Sequence, residues 1–120
     1  KDQIVKTINQ VKTEDYKILV LPGGVKAMEK VRQEKKIIDF ITKFNEQKKI
    51  IACICSGAQL LISAKVVKGR KIAGYYSMKD DLINAGAIYT DLPAVIDDNI
   101  ITTAHYKDMG PWMREVLKKI

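Results

Sequence analysis

The sequence contains few of the residues that build metal sites or disulfide frameworks. Its 120 residues include two cysteines and one histidine. This set is too small for a zinc site, and no phosphate-binding glycine motif is present, so we expect neither a metal nor an organic cofactor. We expect Cys53 and Cys55 to lie on opposite faces of a sheet and not to bridge each other. Reduced cysteines suit a cytoplasmic location, which we predict for this protein.

Long hydrophobic runs are also missing. No apolar segment approaches the roughly 18 residues that span a bilayer, so we expect no membrane partner. The net charge of +7 raises the question of nucleic acid, because clustered Lys and Arg side chains bind phosphates. The basic residues are interleaved with acidic ones, as in residues 30–36, and no aromatic residues alternate with them for base stacking. The charge distribution therefore argues against nucleic-acid binding.

Two apolar runs are each followed by a short turn that contains glycine. Residues 17–21 (KILVL) precede residues 22–24 (PGG), and residues 49–54 (KIIACI) precede residues 55–57 (CSG). Continuous apolar runs of this length predict strands buried on both faces, as in parallel sheets. Both glycine turns therefore fall at the carboxyl ends of strands, where open α/β sheets place their active sites.

Helical periodicity and turn residues assign most of the remaining chain. We predict a strand at residues 71–75, a β-hairpin of residues 94–96 and 100–103, and helices at residues 27–47, 58–64, 77–85 and 109–120. Asp108 is expected to cap the last helix. Strands that alternate with helices form parallel sheets through right-handed crossovers. The sequence therefore predicts one α/β/α sandwich domain spanning residues 1–120.

Cys55 is the strongest candidate for a catalytic residue. A nucleophile raised above a sheet needs a sharp strand-to-helix turn, small neighbours, and backbone N–H groups that stabilise developing negative charge. The CSGA segment that begins at Cys55 meets these needs, and a helix N-terminus favours the thiolate form. The backbone N–H groups of Ser56 and Gly24 are the expected oxyanion donors. For Cys53, inside the strand, we expect only a structural role.

Several segments, in the same order along the chain, resemble the DJ-1/PfpI superfamily, and within it the PfpI-like intracellular proteases. Residues 19–24 (LVLPGG) are similar to the family's strand and glycine turn, and residues 52–61 (ACICSGAQLL) to its cysteine elbow and helix. Residues 67–71 (VKGRK) and 79–87 (KDDLINAGA) are similar to the segment that follows, and residues 108–115 (DMGPWMRE) to the closing helix.

The resemblance implies a flavodoxin-like, three-layer α/β/α fold with a mostly parallel sheet. It implies a reactive cysteine at Cys55, with Gly23 and Tyr75 near the site and oxyanion donors at Gly24 and Ser56. Family chains carry a strand, a helix and further strands before the glycine turn, and this sequence begins after them. We therefore expect the fold to lack its N-terminal strand–helix segment, either because residues are missing from the sequence or because the sheet needs another partner.

The chain departs from the PfpI-like pattern at the site itself. Those proteins have a histidine after the nucleophile as its base, whereas this chain has Ser56, which has no comparable basicity. They also take an acidic partner from a neighbouring subunit, and Glu29 falls at that position. The single histidine, His105, is a candidate stand-in base; a surface or interface position is the alternative.

Three functional hypotheses follow. The resemblance implies a homo-oligomeric, cysteine-dependent hydrolase that acts on peptides or on glycated or carbonyl-bearing small molecules. A redox or stress protein, in which Cys55 is oxidised and signals through assembly or chaperone-like binding, is favoured by the missing histidine. An inactive interaction module is the third hypothesis. Turnover that disappears in Cys55→Ala distinguishes the enzyme from the other two.

Overall fold

The computed structural model describes residues 8–120. Its strands and α-helices alternate along the chain in the following order: β1 (Ile18–Leu21), α1 (Val25–Val31), α2 (Lys35–Glu46), β2 (Ile50–Ile54), α3 (Ala58–Ser63), β3 (Lys71–Ile72), α4 (Lys79–Asn84), β4 (Ile88–Tyr89), β5 (Val95–Asp97), β6 (Ile100–Thr103) and α5 (Met109–Lys118). None of these helices has the length and apolar character that a membrane span requires.

The main sheet has four strands in the order β1-β2-β6-β5. The first three run parallel, and β5 pairs antiparallel with β6 to form the predicted hairpin. Ile54 at the end of β2 pairs with Thr103 at the end of β6, so the carboxyl ends of these strands meet at one edge. The prediction of an α/β fold with a mostly parallel sheet is confirmed.

The strand predicted at residues 71–75 is shorter than expected. It ends at Ile72 and pairs with β4, which the sequence analysis missed, in a separate two-stranded sheet. The next residues leave the ladder because their N–H groups bond elsewhere. Ala73 donates to the Thr102 side-chain oxygen at 2.8 Å, and Tyr75 donates to the Cys55 carbonyl at 3.2 Å.

The main sheet is covered on both faces. Alternate residues of β2 pack into two hydrophobic clusters on opposite faces of the sheet. Cys53 packs with residues of α2, α3 and α4, whereas Ala52 and Ile54 pack with Trp112 and Val116 of α5. This alternation is what a strand buried on both faces requires. The layers are therefore helix, sheet and helix, as in an α/β/α sandwich.

The single helix predicted at residues 27–47 is instead two helices. The chain breaks between α1 and α2, where Glu34 adopts an extended backbone with ψ of 103°. Residues 32–36 (RQEKK) are five consecutive polar residues, longer than one helical turn, so no apolar stripe can run through them. The break lets Met28 on one side and Ile41 and Phe44 on the other reach the same core cluster.

The last helix begins as predicted, but its cap differs. Asp108 occupies the N-cap position of α5 and makes no side-chain capping bond. Just before it, the His105 ring accepts a hydrogen bond from the Lys107 N–H. On the buried side, Trp112 Nε1 donates to the Ile101 carbonyl at 3.1 Å, which holds α5 against β6.

Asn99 ties together the amino ends of the central strands. Its side-chain amide donates to Asn45 Oδ1 at 3.0 Å and to the Lys49 carbonyl at 2.8 Å, and its oxygen accepts from Arg70 at 2.9 Å. Asn99 is only 5% exposed. Because truncation would leave buried partners unpaired, we expect Asn99→Ala to lower the free energy of unfolding by about 2 kcal/mol.

Urea denaturation measures this loss, and Asn84→Ala is its control. Asn84 ends α4 on the exposed surface, where substitutions change stability by about 0.5 kcal/mol or less. Equal effects of the two substitutions would show that the Asn99 bonds contribute nothing.

Candidate active site

Cys55 lies at an abrupt bend where β2 ends. A 3-10 helix, Cys55–Gly57, follows β2 directly and leads into α3. The Cys55 backbone has φ of +60°, a left-handed conformation that costs a non-glycine residue on the order of 1 kcal/mol. Strain of this kind persists only where the surrounding fold imposes it. Here it turns the thiol out of the strand, and Cys55 is partly exposed.

Two glycines make room for this bend. A Cβ on Gly23 would lie 2.8 Å from Cys55 Cβ and 3.3 Å from its sulfur, so only a residue without a side chain fits there. A Cβ on Gly57 would lie 2.6 Å from the Leu21 carbonyl oxygen. The PGG turn after β1 and the elbow after β2 are therefore packed backbone to backbone.

The two cysteines are free thiols and lie on opposite faces of the sheet. Residues two apart in a strand normally share a face, so the strand alone does not explain this arrangement. The left-handed backbone of Cys55 redirects its side chain toward the α5 cluster, while Cys53 packs in the cluster on the other face. Burial, followed by the neighbouring Cys55, raises the pKa of the Cys53 thiol strongly.

The raised pKa of Cys53 predicts a loss of stability at alkaline pH. An unfolded thiol releases its proton near the ordinary pKa of 9.0, whereas the folded thiol keeps it, so deprotonation favours the unfolded chain. Between pH 8 and pH 10 this group should lower the free energy of unfolding by about 1.4 kcal/mol.

Urea unfolding of Cys55→Ala and of the double variant Cys53→Ala/Cys55→Ala, at both pH values, isolates the effect. The difference between the two pH values should be smaller by that amount in the double variant. Identical pH dependence would contradict a buried, neutral Cys53.

Beside Cys55 is an open cavity of about 320 Å³. It brings together five residues that the sequence analysis named, and one that it did not: Gly24, Cys55, Ser56, Tyr75, His105 and Tyr106. Tyr106 was missed as a site residue, although its position directly after His105 at the end of β6 was a usable signal. Its hydroxyl lies 3.1 Å from where a Gly23 Cβ would be, beside the cysteine.

The Gly24 N–H, expected to face a substrate, has a partner within the protein. It donates to Ser56 Oγ at 2.8 Å, across 32 residues of sequence. Ser56 is 2% exposed. The backbone N–H of Ser56 belongs to the first turn of a helix, so it has no acceptor within that helix.

His105 is held in the orientation of a hydrogen-bond donor. Its Nδ1 accepts the Lys107 N–H at 3.0 Å, so in the neutral ring the proton is on Nε2. A base needs a free lone pair at the nitrogen that faces its target. The ring also stacks on Tyr75, with centroids 6.2 Å apart. His105 and Tyr75 both line the cavity beside Cys55.

Glu29 is apart from these residues. It lies exposed on α1, its carbonyl accepts a bond from the Gln33 side chain, and it does not line the cavity. Within residues 8–120 no group of three or more His, Cys, Asp or Glu side chains is placed to hold a metal ion. The chemistry available to the site is that of a partly exposed thiol at a cavity that serine, tyrosine and histidine side chains also line.

Comparison with known proteins identifies relatives of this chain. The model of the DJ-1/PfpI family matches residues 3–119. "Deglycase PfpI" of Pyrococcus furiosus is 42% identical over 112 residues, which cover 93% of this chain and 67% of the relative. "General stress protein 18" of Bacillus subtilis is 36% identical over 112 residues, which cover 92% of this chain and 64% of that protein.

Among solved structures, a two-domain protein of Anabaena variabilis with DJ-1/ThiJ/PfpI-like and ferritin-like domains matches with a TM-score of 0.90 and 29% identity. The match covers 93% of this chain and 32% of that one. This chain spans about two thirds of the length of the curated relatives that it matches. The predicted resemblance is confirmed, and the chain belongs to the DJ-1/PfpI family.

Proposed function

We propose that this protein is a cysteine-dependent enzyme in which the Cys55 thiolate attacks the carbonyl carbon of a small substrate. The observation that carries this proposal is the strained left-handed backbone of Cys55, which places the thiol at a cavity that Ser56, Tyr75, His105 and Tyr106 also line. Backbone strain held in place by two glycine turns is typical of a nucleophile elbow. The deglycase name of a relative at 42% identity supports the same chemistry.

Small carbonyl compounds, free or as glycation adducts, fit the site better than peptides do. Cleavage of an amide needs a base and then an acid for the departing amine, and the Nδ1 lone pair of His105, the one histidine of the sequence, already accepts the Lys107 N–H. Addition of a thiolate to an aldehyde needs only the nucleophile and donors for the oxygen that becomes negative. The cavity volume of about 320 Å³ is also near the lower end for ligand pockets.

The test compares two substrate classes on the purified protein. We expect consumption of methylglyoxal and of methylglyoxal-treated N-acetylcysteine, with an adduct mass on the peptide that contains Cys55, and no cleavage of casein. Cleavage of casein without aldehyde consumption would replace the proposed substrate class by peptides. A peroxide-dependent gain of oxygen mass on Cys55, with no turnover of either substrate, would contradict the enzyme proposal and favour the redox protein.

The quaternary structure and location are parts of the same proposal. We propose a homo-oligomer in the cytoplasm, in which Glu29 of one subunit approaches the site of another. The exposure of Glu29 on α1 leaves it accessible for such a contact. Light scattering of the purified protein measures the assembly, and a monomer at all concentrations would remove this role for Glu29.

A further inference from the structure

The side-chain hydroxyl of Ser56 has one hydrogen bond and one free proton. It accepts the Gly24 N–H at 2.8 Å, and a serine hydroxyl that accepts a bond can still donate one. Among residues 8–120, none accepts this proton by hydrogen bond. Ser56 is buried from bulk solvent, yet it lines the cavity beside Cys55. An acceptor for this proton can therefore come from a molecule bound in the cavity.

The bond to Ser56 also changes the role of Gly24. A backbone N–H has one proton, and here that proton points at Ser56 Oγ rather than into the cavity. The Gly24 amide polarises the hydroxyl, which makes the hydroxyl a stronger donor than an isolated serine. The hydroxyl and the backbone N–H of Ser56 are then two donors for a substrate oxygen, both in the first turn after Cys55.

We propose that the Ser56 hydroxyl is a catalytic residue that donates a hydrogen bond to the substrate oxyanion, with Gly24 acting through it. This inference deepens the proposed function and rests on it. When the Cys55 thiolate attacks an aldehyde, the S–C bond forms and the carbonyl π electrons move to oxygen. That oxygen accepts the Ser56 O–H and N–H bonds, and a proton from water then neutralises it to give the hemithioacetal.

In the opposite role, the Ser56 hydroxyl would block the Gly24 amide, because it accepts the single N–H proton that the amide could otherwise donate to the substrate oxygen. The two roles predict opposite results for Ser56→Ala. Loss of a donor should slow addition of an aldehyde to Cys55 by about 100-fold. Removal of a blocking hydroxyl should leave the rate of aldehyde addition at the wild-type value or raise it.

Two probes of the same thiol separate oxyanion stabilisation from other effects. Methylglyoxal addition develops an oxyanion, whereas alkylation by iodoacetamide displaces iodide and develops none. We measure the rate constants of both reactions at Cys55 by intact mass, in a Cys53→Ala background. In Ser56→Ala we expect methylglyoxal addition to slow by about 100-fold and alkylation to be unchanged. An equal loss in both reactions would overturn the proposal, because the hydroxyl would then only position the thiol.

A second, isosteric pair of variants keeps the proposal testable if the alanine variant misfolds. Ser56→Thr keeps a hydroxyl and Ser56→Val replaces it by a methyl of the same shape, so they differ chiefly in the donor. The threonine variant should add methylglyoxal about 100-fold faster than the valine variant, and equal rates would overturn the proposal. Wild-type addition without turnover would refute the enzyme proposal alone, since the rate of addition still tests the role of Ser56.

Discussion

Replacing Cys55 with alanine is expected to abolish aldehyde turnover, with a loss of about a thousandfold or more. Covalent catalysis has no substitute for its nucleophile, and the hydrogen-bond donors that remain cannot form the S–C bond. No other thiol is in reach, because Cys53 is 1% exposed and lies on the opposite face of the sheet. Turnover of methylglyoxal by equal amounts of folded protein measures the loss.

Cys53→Ala is the matched control for this substitution. It removes the same side chain two residues away, from a buried position with a raised pKa, so catalysis should continue within a few-fold of wild type. Iodoacetamide should label one cysteine in the native protein, and the label should disappear in Cys55→Ala and remain in Cys53→Ala. More than a tenth of the activity surviving in Cys55→Ala would rule out Cys55 as the nucleophile.

Replacing Gly57 with alanine is expected to lower the free energy of unfolding by about 3 kcal/mol, the upper part of the range for overpacking. The added Cβ would lie 2.6 Å from the Leu21 carbonyl oxygen and 3.0 Å from that of Pro22. These are backbone atoms of the turn after β1, which cannot rotate away as a side chain can. The Gly57 backbone itself, with φ of −57°, suits alanine, so the penalty is steric.

Gly110→Ala is the control, because a Cβ at Gly110 has no atom within 4 Å and alanine raises helix propensity in α5. It should leave stability unchanged or raise it by up to about 1 kcal/mol. Urea denaturation compares the two variants, and the alkylation rate of Cys55 reports whether the elbow has moved. If Gly57→Ala is as stable as Gly110→Ala and is alkylated at the wild-type rate, the two turns are not packed as described.

The elements that the sequence predicted well are those whose signal lies within about ten residues. The runs that became β1 and β2, the hairpin around Asp98, and the amphipathic helix α5 all follow from local periodicity and turn residues. The break between α1 and α2 was also within reach, because five polar residues in succession interrupt the apolar stripe. It was missed because no glycine or proline marks it.

Most of the residues that line the cavity were named from the sequence, but Tyr106 was missed, Glu29 lies apart from the cavity, and the bonds among the lining residues were not predictable. The glycine turns pointed to Cys55, Ser56 and Gly24, and His105 was named because it is the one histidine of the sequence. That Gly24 donates to Ser56 and that His105 Nδ1 accepts the Lys107 N–H are bonds that no local pattern encodes. The role of Tyr106 likewise depends on how closely the turn at Gly23 approaches it.

The sequence by itself determined the strand–turn–helix units, the family and the position of the cysteine at the elbow after β2, because each depends on the order and size of neighbouring residues. The tertiary structure decided how those units act on one another. Parallel pairing of β1 with β2 and of β2 with β6 brings together turns that are 32 and about 50 residues apart. This pairing sets the hydrogen-bond partners at the site. It joins residues far apart in sequence, so local sequence patterns do not encode it.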